Sequence, residues 1–348
     1  MTERIVLVLS AGIGDLFLAI PALRAVRRKY PSAKIWLLSS AKAAGYAKIC
    51  SGADRVLSMP DGPALSHPFK ILGLLWSLRR FRPDVAVNLY EVSTAGGDRK
   101  MRQLFSLMAP KISYGRRGPR FGSFFNKYVV EGPDDHKTQA DYYAELIGMM
   151  GAEISPLDAN DLPIGPEGEK AASRLLHGIP SGRPLVGLNP ASARRSRHWL
   201  PQRFAELGDR LGVEHGCDIV ILGGPADKSL AETVARRMKR RPIIAAGRLS
   251  IEGSLALMKK LDLLVTVHSS MMHAANILGT PYVCLAGPGN MVKDGPSGGD
   301  PAKRIIIPPG KDCAPCDRDY CHDHSCMEGI EVDTVYKAAT ALLWQKGK

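Results

Sequence analysis

Short apolar runs recur along this chain, and most are followed by a stretch whose apolar positions fall at helical spacing. In the first half the runs are Arg4–Leu9, 34–38 and 84–89, with helical patterns at 21–29, 69–80 and 134–150. A glycine turn separates the first run from a helix expected to start at Pro21, because proline suits a first helical turn, where its missing N–H costs nothing. In the second half the runs are 185–188, 219–222, 243–245, Leu263–Val267 and Tyr282–Leu285, with helices expected at 201–213, 228–239, 251–260 and 271–278. Strand-sized runs alternating with helices predict parallel sheets with crossover helices. The halves are joined by a Pro/Gly-rich stretch, 154–183, with a short helix at 169–176, so a boundary is expected near residue 160. The expected organisation is an N-terminal domain at 1–160 and a C-terminal domain at 161–348, the latter ending in a Cys-rich loop, 313–326, and a final helix. The fold class is α/β, two doubly wound Rossmann-like domains facing across a cleft, with ligands at the carboxyl ends of the strands.

Composition narrows the functional classes. Hydrophobic residues make up 45% of 348, enough for two ordinary cores. No run approaches the ~20 apolar residues that span a bilayer, and the start lacks the positive, then long apolar, pattern of a signal peptide, so a cytoplasmic protein is expected. The net charge of +13 favours anionic partners: nucleotide phosphates, phosphorylated glycolipid or a membrane surface. No nucleic-acid module accompanies that charge, and aromatics are only 6%, so nucleic acid is not expected. Cys50, Cys217 and Cys284 stand in apolar surroundings and read as core fillers.

Several loops that follow strands carry candidate chemistry. Gly12 and Gly14 let the backbone come close to a ligand, but Phe17 stands where a dinucleotide fingerprint needs a third glycine. Asp15 beside them reads as either a helix-capping aspartate or a cleft-facing acid. The loop after 185–188 holds Ser192, Arg194, Arg195 and Arg197 ahead of a helix, a phosphate-binding combination. Gly223, Gly224 and Asp227 form another strand-to-helix turn. Ser269 or Ser270 can cap the helix that carries His273, leaving N–H groups to hold an anion. Helix 69–80 has an apolar face of Phe69, Leu72, Leu75 and Trp76 with a basic end; a core-facing role is favoured over a membrane-lying one. Arg116, Arg117 and Arg120 with Phe121, Phe124 and Phe125 are read either as a contact for an anionic acceptor or membrane or, equally, as a mobile surface loop. Cys313, Cys316, Cys321 and Cys326 have the spacing of a tetrathiolate zinc or iron site; the alternatives are reduced thiols or a loop disulfide.

Taken in order, these pieces resemble glycosyltransferase family 9, whose best-known members are ADP-heptose:lipopolysaccharide heptosyltransferases. The resemblance rests on Gly12-Ile13-Gly14-Asp15 with Pro21-Ala22-Leu23-Arg24, Asn189-Pro190-Ala191-Ser192 with His198-Trp199, Gly223-Gly224-Pro225, Ser269 through His273 with Gly279-Thr280-Pro281, and Gly287-Pro288. It implies a GT-B fold and an inverting transfer that needs no metal. Asp15 would be the general base toward the acceptor hydroxyl. Ser192, Arg197, Ser269, Ser270 and His273 would hold the donor diphosphate, and Asp227 and Leu249 would lie near the adenosine. The implied donor is ADP-heptose, and the implied acceptor an anionic glycolipid or glycan, with peripheral contact at the cytoplasmic face of the inner membrane. The chain departs from the family's Asp-Ser/Thr-Gly at His268-Ser269-Ser270, which leaves the sugar open, and Arg197 stands where lysine is usual. A different nucleotide-sugar donor, a protein acceptor and a non-catalytic nucleotide- or nucleic-acid-binding protein are the alternatives.

Overall fold

The computed structural model describes residues 3–60, 67–132, 136–155, 158, 161–180, 182–308, 311, 313–316 and 318–344. The chain divides into two compact units, Met1–Asn160 and Asp161–Lys348. Residues 156–157 and 159–160, around the expected boundary, lie outside the described residues.

The first unit is built on β1 (Arg4–Leu9), β2 (Lys34–Ser40), β3 (Arg55–Met59), β4 (Val85–Asn88), β5 (Ile112–Arg117) and β6 (Lys127–Val130). All pair in parallel, in the order β3-β2-β1-β4-β5-β6. The helices between and after them are α1 (Ile13–Lys29), α2 (Ala41–Cys50), α3 (Pro68–Phe81), α4 (Ala95–Met108) and α5 (Gln139–Gly148). Val6, Val8 and Ala86 project from the central strands onto Leu78 and Phe81 of α3 and Phe105 and Met108 of α4. Continuous apolar strands are what a parallel sheet covered on both faces requires.

The second unit repeats the winding. It opens with α6 (Pro166–Leu175), followed by β7 (Leu185–Asn189), α7 (Pro201–Glu214), β8 (Asp218–Ile221), α8 (Lys228–Arg237), β9 (Ile243–Ile244), α9 (Ile251–Lys259), β10 (Leu263–Val267), α10 (Ser270–Leu278), β11 (Tyr282–Leu285) and β12 (Arg304–Ile307). A short α11 (Ser325–Glu328) and the closing α12 (Val332–Leu343) complete it. The parallel order is β12-β11-β10-β7-β8-β9. In each unit the first strand is central and the chain winds outward one way, then the other. The order therefore reverses between β1 and β4, and again between β7 and β10. Those are the points where a doubly wound sheet leaves a crevice at its carboxyl edge.

Three sequence expectations are corrected here. The helix after β1 starts at Ile13, not Pro21, because the Asp15 carboxylate accepts from the Gly12 N–H at 3.0 Å and satisfies the helix start on the glycine turn; Pro21 sits inside the helix. Helix 134–150 is observed as Gln139–Gly148, started by Thr138, whose hydroxyl accepts from Asp141 N; residues 133–135 lie outside the described residues. In α3 the stripe that faces the core is Leu74, Leu78 and Phe81, so Phe69, Leu72 and Trp76 point outward, 87%, 61% and 64% exposed.

Among the described residues, no helix is long and apolar enough to cross a membrane. The three scattered cysteines are buried, and burial raises the thiol pKa of Cys50 and Cys284 to about 12 and of Cys217 to about 11.

Candidate functional site

At the β7/β10 reversal the sequence places polar side chains where two apolar strands end. Asn189, the last residue of β7, is 2% exposed and donates through Nδ2 to Thr266 Oγ1 at 2.9 Å and to Ser269 Oγ at 2.8 Å. Ser269 is the N-cap of α10, its hydroxyl accepting from the Met271 N–H at 3.3 Å, so Ser270 is the first helical residue. Ser192 Oγ donates to the carbonyl of His268 at 3.0 Å, which ties the loop after β7 to the end of β10. Ser192, Ser269 and Ser270 thus come together on one edge, beside the N-terminus of a nine-residue helix.

Arg197 reaches this edge from a single 3-10 turn, Arg195–Arg197. Two residues on, Trp199 is fully buried, edge-on to Phe204 with centroids 5.1 Å apart, and donates through Nε1 to the carbonyl of Ile330 at 2.9 Å. That anchor fixes the turn before it; replacing a buried tryptophan by alanine typically costs about 3–5 kcal/mol. The turn is also held from the C-terminal loop: Ser196 N donates to the Asp319 carbonyl at 3.0 Å, Ser196 Oγ to Arg318 O, and His324 Nε2 to the Ser196 carbonyl at 3.0 Å.

Two histidines face this arginine. His268 is 2% and His273 7% exposed. Burial, then the charge of Arg197, pushes the pKa of His273 down to about 4. Burial, Arg197 and His273 push that of His268 to about 3, against a bond to the Asp294 backbone that favours the charged ring. Both rings are therefore neutral at pH 7. His268 Nε2 donates to the carbonyl of Asp294 at 3.0 Å, and Gly289 lies so close that a Cβ there would fall 2.1 Å from His268 Nδ1 and 3.0 Å from Arg197 Nη2. The Nδ1 atoms of His268 and His273 have no hydrogen-bond partner among the described residues. A buried edge with an arginine, the α10 N-terminus and the Ser269 and Ser270 hydroxyls suits an anion with several acceptor oxygens.

Asp227 and Leu249 flank a different turn of the same sheet edge. Asp227 Oδ2 accepts from Gly224 N at 2.8 Å, so its carboxylate closes the turn after β8. Gly223 has φ of +158°, and Gly247, beside the half-buried Leu249, has φ of +72° and backs onto Pro225. In the first unit, Asp15 stands at the β1/β4 reversal in the first turn of α1, with Gly12 as N-cap and Gly14 in the helix.

One expectation does not hold, and a second finds no support. Arg116 is no acceptor-facing residue: it is 1% exposed, bonded to Gln139 Oε1 at 2.6 Å, paired with Glu131 at 2.9 Å, and lies 3.7 Å over the Tyr142 ring. Phe125 is buried beside Phe105. For Cys313, Cys316, Cys321 and Cys326, no group of three or more His, Cys, Asp or Glu among the described residues is placed to hold a metal ion. Cys326 is buried in the core on α11, where burial and then the neighbouring thiols raise its pKa, and Cys321 Sγ donates to the Asp323 carbonyl at 3.0 Å. Cys313, Cys316 and Cys321 are thus near Cys326, but no metal-holding arrangement of them stands among the described residues, and a structural metal here is unsupported. The loop instead backs the Arg197 turn, with Cys316 N donating to the Pro288 carbonyl at 2.9 Å.

Sequence reasoning gave Asn189 and Thr266 no individual role in this edge and missed Gly289. Asn189 and Thr266, polar residues at the ends of apolar strands, were the available signal; Gly289 had none, because its need comes from a ring distant in sequence.

Two six-stranded doubly wound sheets with flanking helices, each reversing at its first strand, define a chain of the GT-B class. A family profile described as Glycosyltransferase family 9 (heptosyltransferase) matches residues 137–324, and the chain belongs to that family; it is a glycosyltransferase. Among curated proteins it is similar to a lipopolysaccharide core heptosyltransferase, OpsX, of Haemophilus influenzae, 23% identical over 297 residues, 82% of this chain and 79% of that one. Among solved structures it resembles a family 9 glycosyltransferase from Veillonella parvula, with a TM-score of 0.77, 24% identity, and coverage of 98% and 97%. It also resembles the ADP-heptose lipopolysaccharide heptosyltransferase II of E. coli, with a TM-score of 0.74, 19% identity, and full coverage of both chains.

Proposed function

We infer that this chain transfers heptose from ADP-heptose onto a lipopolysaccharide core or a related anionic glycan, with inversion and without a metal cofactor. The observation that carries this reading is the edge built from Ser192, Arg197, Ser269, Ser270 and His273, which offers a diphosphate several donors and one fixed positive charge. The names of the curated relative and of the E. coli structure supply heptose, ADP-heptose and lipopolysaccharide. The unit Asp161–Lys348 is read as the donor side and Met1–Asn160 as the acceptor side.

In this reading Asp15 takes the proton from the acceptor hydroxyl as its oxygen attacks the anomeric carbon. The bond from that carbon to the diphosphate breaks on the opposite face, and ADP leaves with the electron pair. Arg197, the α10 N-terminus and the serine hydroxyls stabilise the charge that gathers on the leaving phosphate. His273 enters uncharged and is placed to donate or to take up a proton as that charge develops. Asp227 and Leu249 are assigned to the adenosine end. A lipid-linked acceptor implies peripheral contact with a membrane.

The test is a transfer assay with ADP-heptose and purified inner-core acceptor in the presence of EDTA, read by mass spectrometry. A product heavier by one heptose supports the reading. A product formed only from another nucleotide sugar removes the donor assignment and keeps the fold.

A further inference from the structure

Helix α3 is apolar on both sides, which normally marks a buried helix, yet only one side is covered. Leu74, Leu78 and Phe81 pack on the first sheet. Phe69, Leu72 and Trp76, spaced three and four residues apart, form a second stripe that is 87%, 61% and 64% exposed. The other exposed large apolar side chains, such as Val130, Val213 and Val292, stand on separate elements.

Cations surround this stripe. Arg80 continues it, its guanidinium 5.4 Å over the Trp76 ring, and Lys70 and Arg79 occupy the helix positions on either shoulder, both exposed. An open groove at the end of the helix is lined by Trp76, Arg79, Arg80, Arg82 and Arg4. Its acidic neighbour, Asp84, is engaged by Lys111 at 2.9 Å and by Arg4 at 3.6 Å. The adjacent α4, to which Arg79 is tied through the Leu107 carbonyl at 3.1 Å, adds exposed Arg99, Lys100 and Arg102; Asp98 there pairs with Arg102 at 3.2 Å.

We propose that this face of α3 is the surface by which the protein docks on an anionic lipid bilayer, with Phe69, Leu72 and Trp76 entering the interface and the Arg79–Arg80–Arg82 groove seating lipid phosphates. This deepens the reading of a lipid-linked acceptor and rests on it only for its purpose, since the geometry belongs to α3 alone. A helix lying in a membrane plane needs aromatic and aliphatic side chains on one face with arginines and lysines at its margins. Charge complementarity selects the bilayer over a second copy of the chain. A two-fold pairing of this face would set Lys70, Arg79, Arg80 and Arg82 against their own equivalents, whereas anionic headgroups neutralise them.

The test uses the full chain with phosphatidylcholine vesicles containing or lacking phosphatidylglycerol, free of donor and acceptor, and reads sedimentation with the vesicles. Binding to the anionic vesicles alone is expected, with a blue shift in tryptophan emission that Trp76→Phe removes. The combined Phe69→Ser, Leu72→Ser and Trp76→Ser variant, and separately Arg79→Glu with Arg80→Glu, should each lower the partition coefficient on the order of tenfold or more. ADP affinity should be unchanged in both. No vesicle binding by the parent chain, or equal binding by the variants, overturns the proposal. So does sedimentation equilibrium showing a dimer that the triple serine variant dissociates. A chain that binds vesicles but moves no heptose leaves this surface standing and removes the function instead.

Discussion

Lowering the pH from 7 to 5 should destabilise this protein through two named side chains. His268 and His273 have folded pKa values pushed down to about 3 and about 4, by burial first and then by Arg197. An exposed histidine in the unfolded chain titrates near 6.5. As the pH falls below 6.5 the unfolded chain takes up two protons that the folded chain refuses, so the stability present above that value is lost on acidification. Integrating over the interval gives about 2 kcal/mol for each histidine, ~4 kcal/mol together. Carboxylates held low by partners, such as Asp84 by Lys111 and Asp158 by Arg28, contribute stability that is lost only below their unfolded pKa near 4, outside this window. With a urea slope of ~2 kcal/mol per molar, the midpoint should fall by ~2 M between pH 7 and pH 5. His273→Gln should halve that shift, and His268→Asn with His273→Gln should nearly abolish it. A double variant that retains the full shift would show that the acid sensitivity lies elsewhere and that these rings are not held neutral against Arg197.

Other perturbations separate the parts of the site. Asp15→Asn should abolish transfer while leaving ADP affinity within about twofold, because the amide oxygen can still accept from Gly12 N and keep the α1 cap; parallel loss of both in rate and calorimetric assays would remove Asp15 as the base. Arg197→Ala should weaken ADP by about 10–100-fold, the worth of a charge-assisted hydrogen bond of ~1.5–3 kcal/mol; unchanged affinity would refute its assignment. Gly289→Ala should push on the His268 ring and the Arg197 guanidinium, lowering both thermal midpoint and ADP affinity; parent-like behaviour would show that the loop moves away freely. Chelators should change neither transfer nor the melting curve, and a fall in both on chelation would reinstate a metal at Cys313, Cys316, Cys321 and Cys326.

Much of the fold is written locally. The runs at Arg4–Leu9, Leu263–Val267 and Tyr282–Leu285 are strands at their expected limits, because a strand buried on both faces is a continuous apolar run ended by a turn. The elements between residues 41 and 59 and between 95 and 130 carry no such signal: α2 is mostly alanine and lysine, and β5 has three polar or charged residues and a glycine in ISYGRR. Their structure is settled by packing on neighbours. In the site, Ser192, Arg197, Ser269, Ser270 and His273 could be grouped from sequence because each lies in the loop or helix start that follows a strand. The outward stripe of α3 was not, since two apolar faces satisfy the same helical period and only the sheet decides which is covered. Arg116 was misread because its partners, Gln139, Glu131 and Tyr142, come from later in the chain.

If the edge around Arg197 and His273 holds the diphosphate of an ADP-sugar, free ADP should bind there too. Calorimetric titration of the protein with ADP, UDP and GDP, with EDTA present, tests it most directly. Saturable ADP binding is expected, with weaker UDP and GDP binding, and proton uptake at pH 5 as bound phosphate favours the charged form of His273. Preference for UDP or GDP, or no binding of any of the three, would contradict it.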